Sequence, residues 1–484
     1  MDRILEILRR ATRGSRYEGA LYLVGGAVRD KFLREGEGLR EGEAPAEPCD
    51  AAQQELRPPT ELRPPAEPED IDIVIEGDAG ELAQFLYETG LAEHPPVTYP
   101  RFGTAMISIA GRQVELVGAR KESYDPDSRK PTTSPATLLE DVARRDFTIN
   151  TLLENLHTGE VKDLTGLAQR DIGDKIIRTP QDPRITFDDD PLRMLRAVRF
   201  AARFEFTIHP DTYTAIREMA TRLGIVSGER IRDEFVKIVM CPNAAWGLDT
   251  LRETGLLDQF APELSAMHGV TQNIYHIYDV WTHTLKTLES IPVESGMILR
   301  LTALLHDVGK VETRTVDENG AVHFYHHQTV GAKIARKLMR RLRFANSEID
   351  RVAFLISMHL RVGEYDNQWS DAAVRRIVRD AGDRLEDAIR LTQADKAAAN
   401  PNVPTVDLAA LREHLARVKN EIAGERLVSP LSGREIMEVL GLEPGPEIGS
   451  IKAYLESEVI EGNLAPGDKA EARELVRRKY GAGG

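Results

Sequence analysis

The chain has 484 residues, 41% hydrophobic and 29% charged, with a formal net charge of −15. That length exceeds what one core supports, so several domains are expected, and no apolar run approaches the ~18 residues of a membrane span. Two cysteines, Cys49 and Cys241, exclude a disulfide framework. With a charged, amphipathic N-terminus lacking a signal-peptide core, they point to the cytoplasm.

The acidic balance argues only weakly against a nucleic-acid partner, because phosphate contact needs just a local basic face. Such faces are offered by Arg336, Lys337, Arg340, Arg341 and Arg343, by Arg375, Arg376 and Arg379, and by Arg477, Arg478 and Lys479. Solvated helix surfaces explain each cluster equally well.

The first informative segment is Leu21-Tyr-Leu-Val-Gly-Gly-Ala-Val-Arg-Asp30. Gly25 and Gly26 close a strand-like run and open a helix-like one. Without side chains, their backbone N–H groups can approach a triphosphate, with Arg29 supplying charge. Residues 35–68 are rich in Glu, Gly, Pro and Ala and carry the repeat Glu55-Leu-Arg-Pro-Pro-Thr, Glu61-Leu-Arg-Pro-Pro-Ala. They read as a disordered insertion between two elements of one domain. Asp70 and Asp72 follow, two apart in a strand-like run, so both carboxylates project from one face and suit Mg²⁺.

Ile71–Ile75, Thr104–Ile109 and Gln113–Val117 read as strands. Glu115 would add a third carboxylate to hold metal and draw a proton from an attacking hydroxyl, or it is an exposed strand glutamate. In Arg144-Arg145-Asp146-Phe-Thr-Ile-Asn150, Arg145 suits phosphate and Asp146 and Asn150 suit ribose hydroxyls. Ordinary helix capping accounts for the same residues.

After Asp171 the pattern is helical almost to the end, giving an α+β fold with a small head on a long helical body. One helix is expected to start with Asp190 as N-cap and Pro191 in first position. Along it Arg193, Arg196, Arg199 and Arg203 recur as one cationic stripe beside Leu192, Leu195, Val198 and Ala202. Asp190 or Asp189 accepting an exocyclic amino group, with Arg193 donating to the ring nitrogen, would admit cytosine and adenine and reject uracil and guanine.

Further on, His283, His306-Asp307 and Asp395 make a plausible divalent transition-metal site on neighbouring helices, able to activate water for phosphoester hydrolysis. His327 and His359 would serve a second metal. His276 and His326 are taken as structural.

In order along half the chain, Gly25-Gly-Ala-Val-Arg-Asp30, Asp70-Ile-Asp72, Arg145-Asp-Phe-Thr-Ile-Asn150, Asp163-Leu-Thr-Gly166, Asp190-Pro-Leu-Arg193 and Gly228-Glu-Arg-Ile-Arg-Asp-Glu-Phe-Val-Lys237 resemble the bacterial CCA-adding enzymes and poly(A) polymerases, the class II tRNA nucleotidyltransferases. The resemblance implies triphosphate on Gly26 and Arg29, metal on Asp70 and Asp72, and incoming nucleotide on Arg145, Asp190, Arg193, Arg196 and Arg199. The flexible loop of the family would be Lys121 to Glu140, and its full length favours a terminal-A step. Asp189 stands where the family usually has Glu, and Thr151 where it commonly has Ala.

His283, His306-Asp307 and Asp395 resemble an HD phosphohydrolase domain, which implies trimming of phosphates or cyclic phosphates from RNA ends. Pro430–Met437 and Leu442–Gly449 resemble the helical tail of these enzymes; helix packing is the preferred role, with Arg473, Arg477, Arg478 and Lys479 available to a tRNA backbone.

The expected order is a head over 1–165, a nucleotide- and RNA-binding neck over 166–265, an HD-type domain over 266–400 and a tRNA-binding tail over 401–484. The expected function is template-independent addition of CCA to tRNA 3′ ends from CTP and ATP, with Mg²⁺ at the head and no membrane partner. The alternatives are a poly(A) polymerase or A-adding enzyme, and a phosphohydrolase whose head only docks RNA. The sequence sets no oligomeric state.

Overall fold

The apolar alternation of the N-terminal segment builds one seven-stranded sheet. Its strands are β1 (Leu21–Val24), β2 (Ile71–Ile75), β3 (Val97–Tyr99), β4 (Thr104–Ile109) and β5 (Arg112–Gly118), then, beyond a hairpin of β6 (Arg120–Asp125) and β7 (Ser128–Pro135), β8 (Leu153–Asn155) and β9 (Val161–Lys162). The order is β3-β4-β5-β2-β1-β8-β9. Only β2 and β5 pair in parallel. Leu21, Leu23, Ile71, Ile73, Ile75, Val114 and Leu116 are buried along it, covered in part by the helix Ala79–Glu88 through Leu82, Ala83 and Leu86. Asp78 opens that helix by accepting the Gly80 and Glu81 N–H groups.

The computed structural model describes residues 2–40, 71–125, 128–404, 406–421 and 427–481. The segment expected to be disordered, 35–68, is helical as far as Arg40, as the end of the helix Gly26–Arg40. Its remainder lies outside the described residues, together with Cys49 and Asp70. The strands flanking the insertion, β1 and β2, are hydrogen-bonded neighbours.

Two compact units divide the chain, Met1–Pro262 and Glu263–Gly484. In the first, the helix Leu192–Phe204, which buries Leu195, Val198 and Ala202, packs against the helix Gly228–Val239, which buries Phe235 and Ile238. Gly247 lets the helix Ala244–Glu253 approach both: a Cβ there would meet Ile238 at 3.0 Å and Ala202 at 3.2 Å. The helix of the arginine stripe begins one residue later than expected, with Pro191 in the cap position. Asp190 closes the preceding helix Pro183–Asp189, yet its carboxylate still accepts the Leu192 N–H at 3.2 Å.

The second unit is built from the helices Val280–Glu289, Met297–Leu305, His327–Arg341, Asn346–Gly363 and Leu385–Ala397, followed by helices out to Lys469–Tyr480. The last of these bury a core of their own around Leu431, Ile436, Leu455 and Val476. A Ser432–Glu435 capping box starts the helix Gly433–Leu440. Two small strand pairs interrupt the helical body, Ile176–Ile177 with Thr207–Ile208 in the first unit and Arg314–Val316 with Val322–Phe324 in the second. Among the described residues no helix is long and apolar enough to cross a membrane.

Candidate functional site

β1 ends at a turn that needs glycine. Gly25 has φ +77°, and a Cβ there would sit 3.7 Å from an Asp72 carboxylate oxygen. The parallel register of β2 and β5 sets Asp72 directly beside Glu115. Strand alternation turns both away from buried Ile71, Ile73, Val114 and Leu116. Two carboxylates therefore share one face next to the start of the helix Gly26–Arg40, whose first N–H groups have no intrahelical partner. Hard oxygen donors so placed fit a divalent cation. Asp70, the other half of the expected pair, falls among the residues not described.

Arg29 lies beneath the turn. Its guanidinium is buried, with Nη2 3.3 Å from where a Gly26 Cβ would stand. Nε donates to Asp30 Oδ1 at 2.7 Å and Nη1 to Asn150 Oδ1 at 2.8 Å. The Phe204 and Phe200 rings lie 4.6 and 5.3 Å away. Burial lowers its pKa, against the opposing pull of Asp30.

Asn150 in turn donates to Asp146 Oδ1 at 3.0 Å, and Asp146 Oδ2 accepts both Arg196 Nε at 2.9 Å and Nη2 at 2.6 Å. Burial pushes the Asp146 pKa up, but Arg196 and Asn150 outweigh it and hold the carboxylate well below its usual range. One polar chain, Asp30–Arg29–Asn150–Asp146–Arg196, thus joins the glycine turn to the helix Leu192–Phe204. Nearby, fully buried Asp141 is shared by Arg144 at 2.6 Å and Arg145 at 3.0 Å. The expected loop Lys121–Glu140 is, over its described part, the β6–β7 hairpin and the start of the helix Leu138–Ala143.

The arginine stripe does not form one exposed cationic face. Arg193 turns to the Thr186 carbonyl at 3.4 Å, and Arg196 binds Asp146. Arg199 is buried 2.7 Å from buried Glu234. At 100° per residue Arg199 lies about 120° around the helix from Arg193, which turns it into the neighbouring helix Gly228–Val239. Likewise Asp146 and Asn150, expected to reach ribose hydroxyls, are buried and bonded to protein partners. Asp190 also receives Arg230 at 2.9 Å.

In the second unit the histidines converge on Asp307. His306, His327 and His359 each donate Nδ1–H to a carbonyl three residues earlier, on Ala303, Phe324 and Ile356, at 2.8, 2.9 and 2.6 Å. The Nδ1 of His283 faces the Ala398 carbonyl at 3.3 Å. The Nε2 atoms are thereby left to point inward. His283 and His306 Nε2 lie 3.5 and 3.2 Å from Asp307 Oδ2, His327 Nε2 lies 3.4 Å from Oδ1, and His283 Nε2 lies 3.0 Å from Asp395. The Nε2 atoms of His327 and His359 approach to 3.2 Å.

Two ligand groups result, His283–His306–Asp307 and Asp307–His327–His359, with Asp307 common to both. His283 Nε2, His306 Nε2 and Asp307 Oδ2 are buried and close together without hydrogen-bond geometry between them, and Lys310 Nζ lies 2.7 Å from Asp307 Oδ2. Such a set fits a cation, and nitrogen and oxygen donors together suit a transition metal. Burial, with His306 and His327 alongside, drives the His359 pKa down to about 3, so that ring is neutral and ready to ligate. Burial also opposes a charge on His306, but Asp307 and Asp395 outweigh it and raise that ring to about 10.

The comparisons with known proteins match this arrangement part by part. A model described as the poly A polymerase head domain fits residues 62–178, a probable RNA and SrmB-binding site of polymerase A fits 205–267, and an HD domain fits 273–400. The A-adding tRNA nucleotidyltransferase of Deinococcus radiodurans is 33% identical over 71% of this chain and 80% of its own. The CC-adding tRNA nucleotidyltransferase of Thermus thermophilus is 34% identical over 70% and 77%. The chain belongs to the tRNA nucleotidyltransferase and poly(A) polymerase family. It is accordingly a nucleotidyltransferase. The CCA-adding enzyme of Bacillus stearothermophilus in complex with CTP shares its fold, with TM-score 0.63 and 22% identity over 99% of this chain and 97% of that one.

Within this family member, several site residues escape sequence reading. Lys310 follows Asp307 by three residues across a turn, is buried, forms an ion pair with Asp307 Oδ2 at 2.7 Å and donates to Gln272 at 2.7 Å. His276, expected to be merely structural, lines the same cavity with its ring 4.5 Å from that of His283. The spacing of Lys310 from the His-Asp pair was a usable signal; Gln272 and His276 gave none. Two of the three basic clusters are partly neutralised: Arg341 binds Glu263 at 2.6 Å, Arg376 binds Glu461, and Arg379 binds Asp380 at 2.8 Å.

Proposed function

We propose that this nucleotidyltransferase adds CCA to the 3′ ends of tRNA from CTP and ATP in the cytoplasm. The observation that carries the reading is the register of Asp72 beside Glu115, against the Gly25-Gly26 turn. The RNA 3′-hydroxyl attacks the α-phosphate in line and pyrophosphate leaves. Asp70 and Asp72 would hold Mg²⁺, which would supply Lewis acidity at that phosphate. Glu115 stands beside Asp72 to take the hydroxyl proton. Gly25, Gly26 and the first turn of the following helix cradle the triphosphate over the positive charge of Arg29.

Arg145, Asp190, Arg193 and Arg196 form the nucleotide side of the site. Asp146 acts through Arg196, and Asn150 through Asp146 and Arg29, as positioning residues, while Arg199 is spent on buried Glu234. Because cytosine and adenine share an amino donor beside a ring-nitrogen acceptor, Asp190 and Arg193 select them without a template.

The histidine cavity is read as a metal-dependent phosphohydrolase acting on RNA 3′ ends. The inward Nε2 set on Asp307 supports this, together with the HD family match. An A-adding activity is the second reading, favoured by the likeness to the Deinococcus radiodurans relative. The test is incubation with Mg²⁺, each labelled NTP and tRNA ending either before or after CC. Growth of three nucleotides from CTP and ATP supports CCA addition. Growth by one, only from ATP and only on tRNA ending in CC, replaces it with A addition, and unlimited growth from ATP replaces it with poly(A) synthesis.

A further inference from the structure

The histidine cavity holds about 510 Å³, and its lining extends well past the metal-ligating set. At one side Tyr325 is 66% exposed and stacks on the His323 ring, with centroids 5.3 Å apart and planes within 8°. His326, a non-glycine residue at φ +62°, makes the bend between this pair and the helix His327–Arg341. That bend leaves Tyr325 outside while His327, two residues on, is buried against Asp307.

Tyr275, which also lines the cavity, is 54% exposed. Its segment is fastened by the Asn400 N–H to the Tyr275 carbonyl at 2.8 Å and by Asn400 Nδ2 to the Ile274 carbonyl at 2.9 Å. The same lining holds two cations: Lys310, buried, and Lys396, half-buried. Lys310 also approaches His276 Nε2 at 3.3 Å, and His276 Nδ1 is buried without a hydrogen-bond partner among the described residues.

We propose that Tyr325, His323 and Tyr275 form a base-stacking mouth, so that this cavity takes a phosphoester borne by a nucleoside. The inference rests on reading the cavity as a phosphoester centre. Flat, exposed rings beside a cation-lined hollow of this size suit a nucleobase over a phosphate; a free phosphate or sugar phosphate has no apolar face to cover them. Stacking tolerates any base, so the mouth would accept whichever residue ends the RNA.

Calorimetric binding with Mn²⁺ present tests this on the full chain, using inorganic phosphate, ribose 5-phosphate, adenosine 3′-monophosphate and a short oligoribonucleotide ending in a 3′-phosphate. Wild type is compared with Tyr325→Ala and Tyr325→Phe. The head is identical in all three proteins, so any difference between them belongs to the cavity. Tyr325 is mostly exposed, and a thermal scan verifies that each variant is folded.

The expected result is that Tyr325→Ala weakens the nucleotide about 5- to 150-fold while phosphate and ribose 5-phosphate are unaffected, and that Tyr325→Phe keeps the wild-type affinity. Preference for the oligonucleotide makes RNA ends the source, and preference for the mononucleotide makes it free nucleotides; both support a base-stacking mouth. Equal nucleotide affinity in wild type and Tyr325→Ala overturns the mouth and leaves the phosphoester reading standing. No Mn²⁺-dependent binding of any phosphate overturns both.

Discussion

Glu234→Leu isolates the buried ion pair between the helices Leu192–Phe204 and Gly228–Val239. Arg199 and Glu234 have side-chain exposures of 4% and 6% and approach to 2.7 Å, while Lys237 reaches Glu234 only at 3.7 Å from a half-exposed position. Removing the glutamate takes a close carboxylate from a buried guanidinium that also lies 4.2 Å from the Phe200 ring. Breaking a buried ion pair by removing one partner costs about 3–5 kcal/mol.

For a unit the size of Met1–Pro262, each kcal/mol moves the midpoint by about 2–4 °C, so a fall of roughly 6–20 °C is expected. Replacing both partners, Arg199→Met with Glu234→Leu, fills the same space with apolar atoms and returns most of the loss. Thermal unfolding by circular dichroism reads the stability, and KM for CTP and ATP reads the site. Because Arg199 faces inward, the double variant should keep both KM values within about threefold of wild type, a difference of under ~1 kcal/mol. A stable double variant with KM raised tenfold or more would refute this, and would put Arg199 on the nucleotide as the sequence motif implies. An unchanged midpoint in Glu234→Leu would refute the electrostatic argument itself.

Asp72→Asn should lower nucleotide incorporation at least ~100-fold with an unchanged unfolding midpoint, measured by labelled NTP and calorimetry. Asp307 belongs to both ligand groups and His359 to one; Asp307→Ala should therefore release all metal bound in the second unit and His359→Ala only part, read by elemental mass spectrometry. The Asp146 carboxyl is depressed when folded, so its stabilisation is fully present above the unfolded value near 3.8 and is lost as pH falls below it. Unfolding midpoints from pH 6 to pH 3 should fall more steeply in wild type than in Asp146→Asn. Gly25→Ala forces a side chain to φ +77° beside Asp72 and should cost about 1–2 kcal/mol as well as activity, checked by urea unfolding and incorporation rate.

Much of the site was legible because its signals are local. The glycine turn, the strand alternation that aims Asp72, and the His306-Asp307 pair each follow from neighbours within a few residues. So does the Nδ1 tie of three histidines, since each reaches a carbonyl three residues back. Glu115 was found as a strand residue, but its place beside Asp72 comes from the parallel pairing of β2 with β5.

The arginine stripe shows where local pattern stops. Periodicity put four guanidinium groups along one helix, yet their partners arrive from elsewhere: Asp146 lies 50 residues from Arg196, and Glu234 enters from another helix to bury Arg199. Lys310 and His276 became part of a site only when the chain closed the cavity around them. The sequence by itself determined which elements form and which chemical groups they carry, because backbone sterics and side-chain period act over a few residues. Packing decided which charges are spent on one another and which face a cavity, because pairing and desolvation depend on neighbours that only the folded chain brings together.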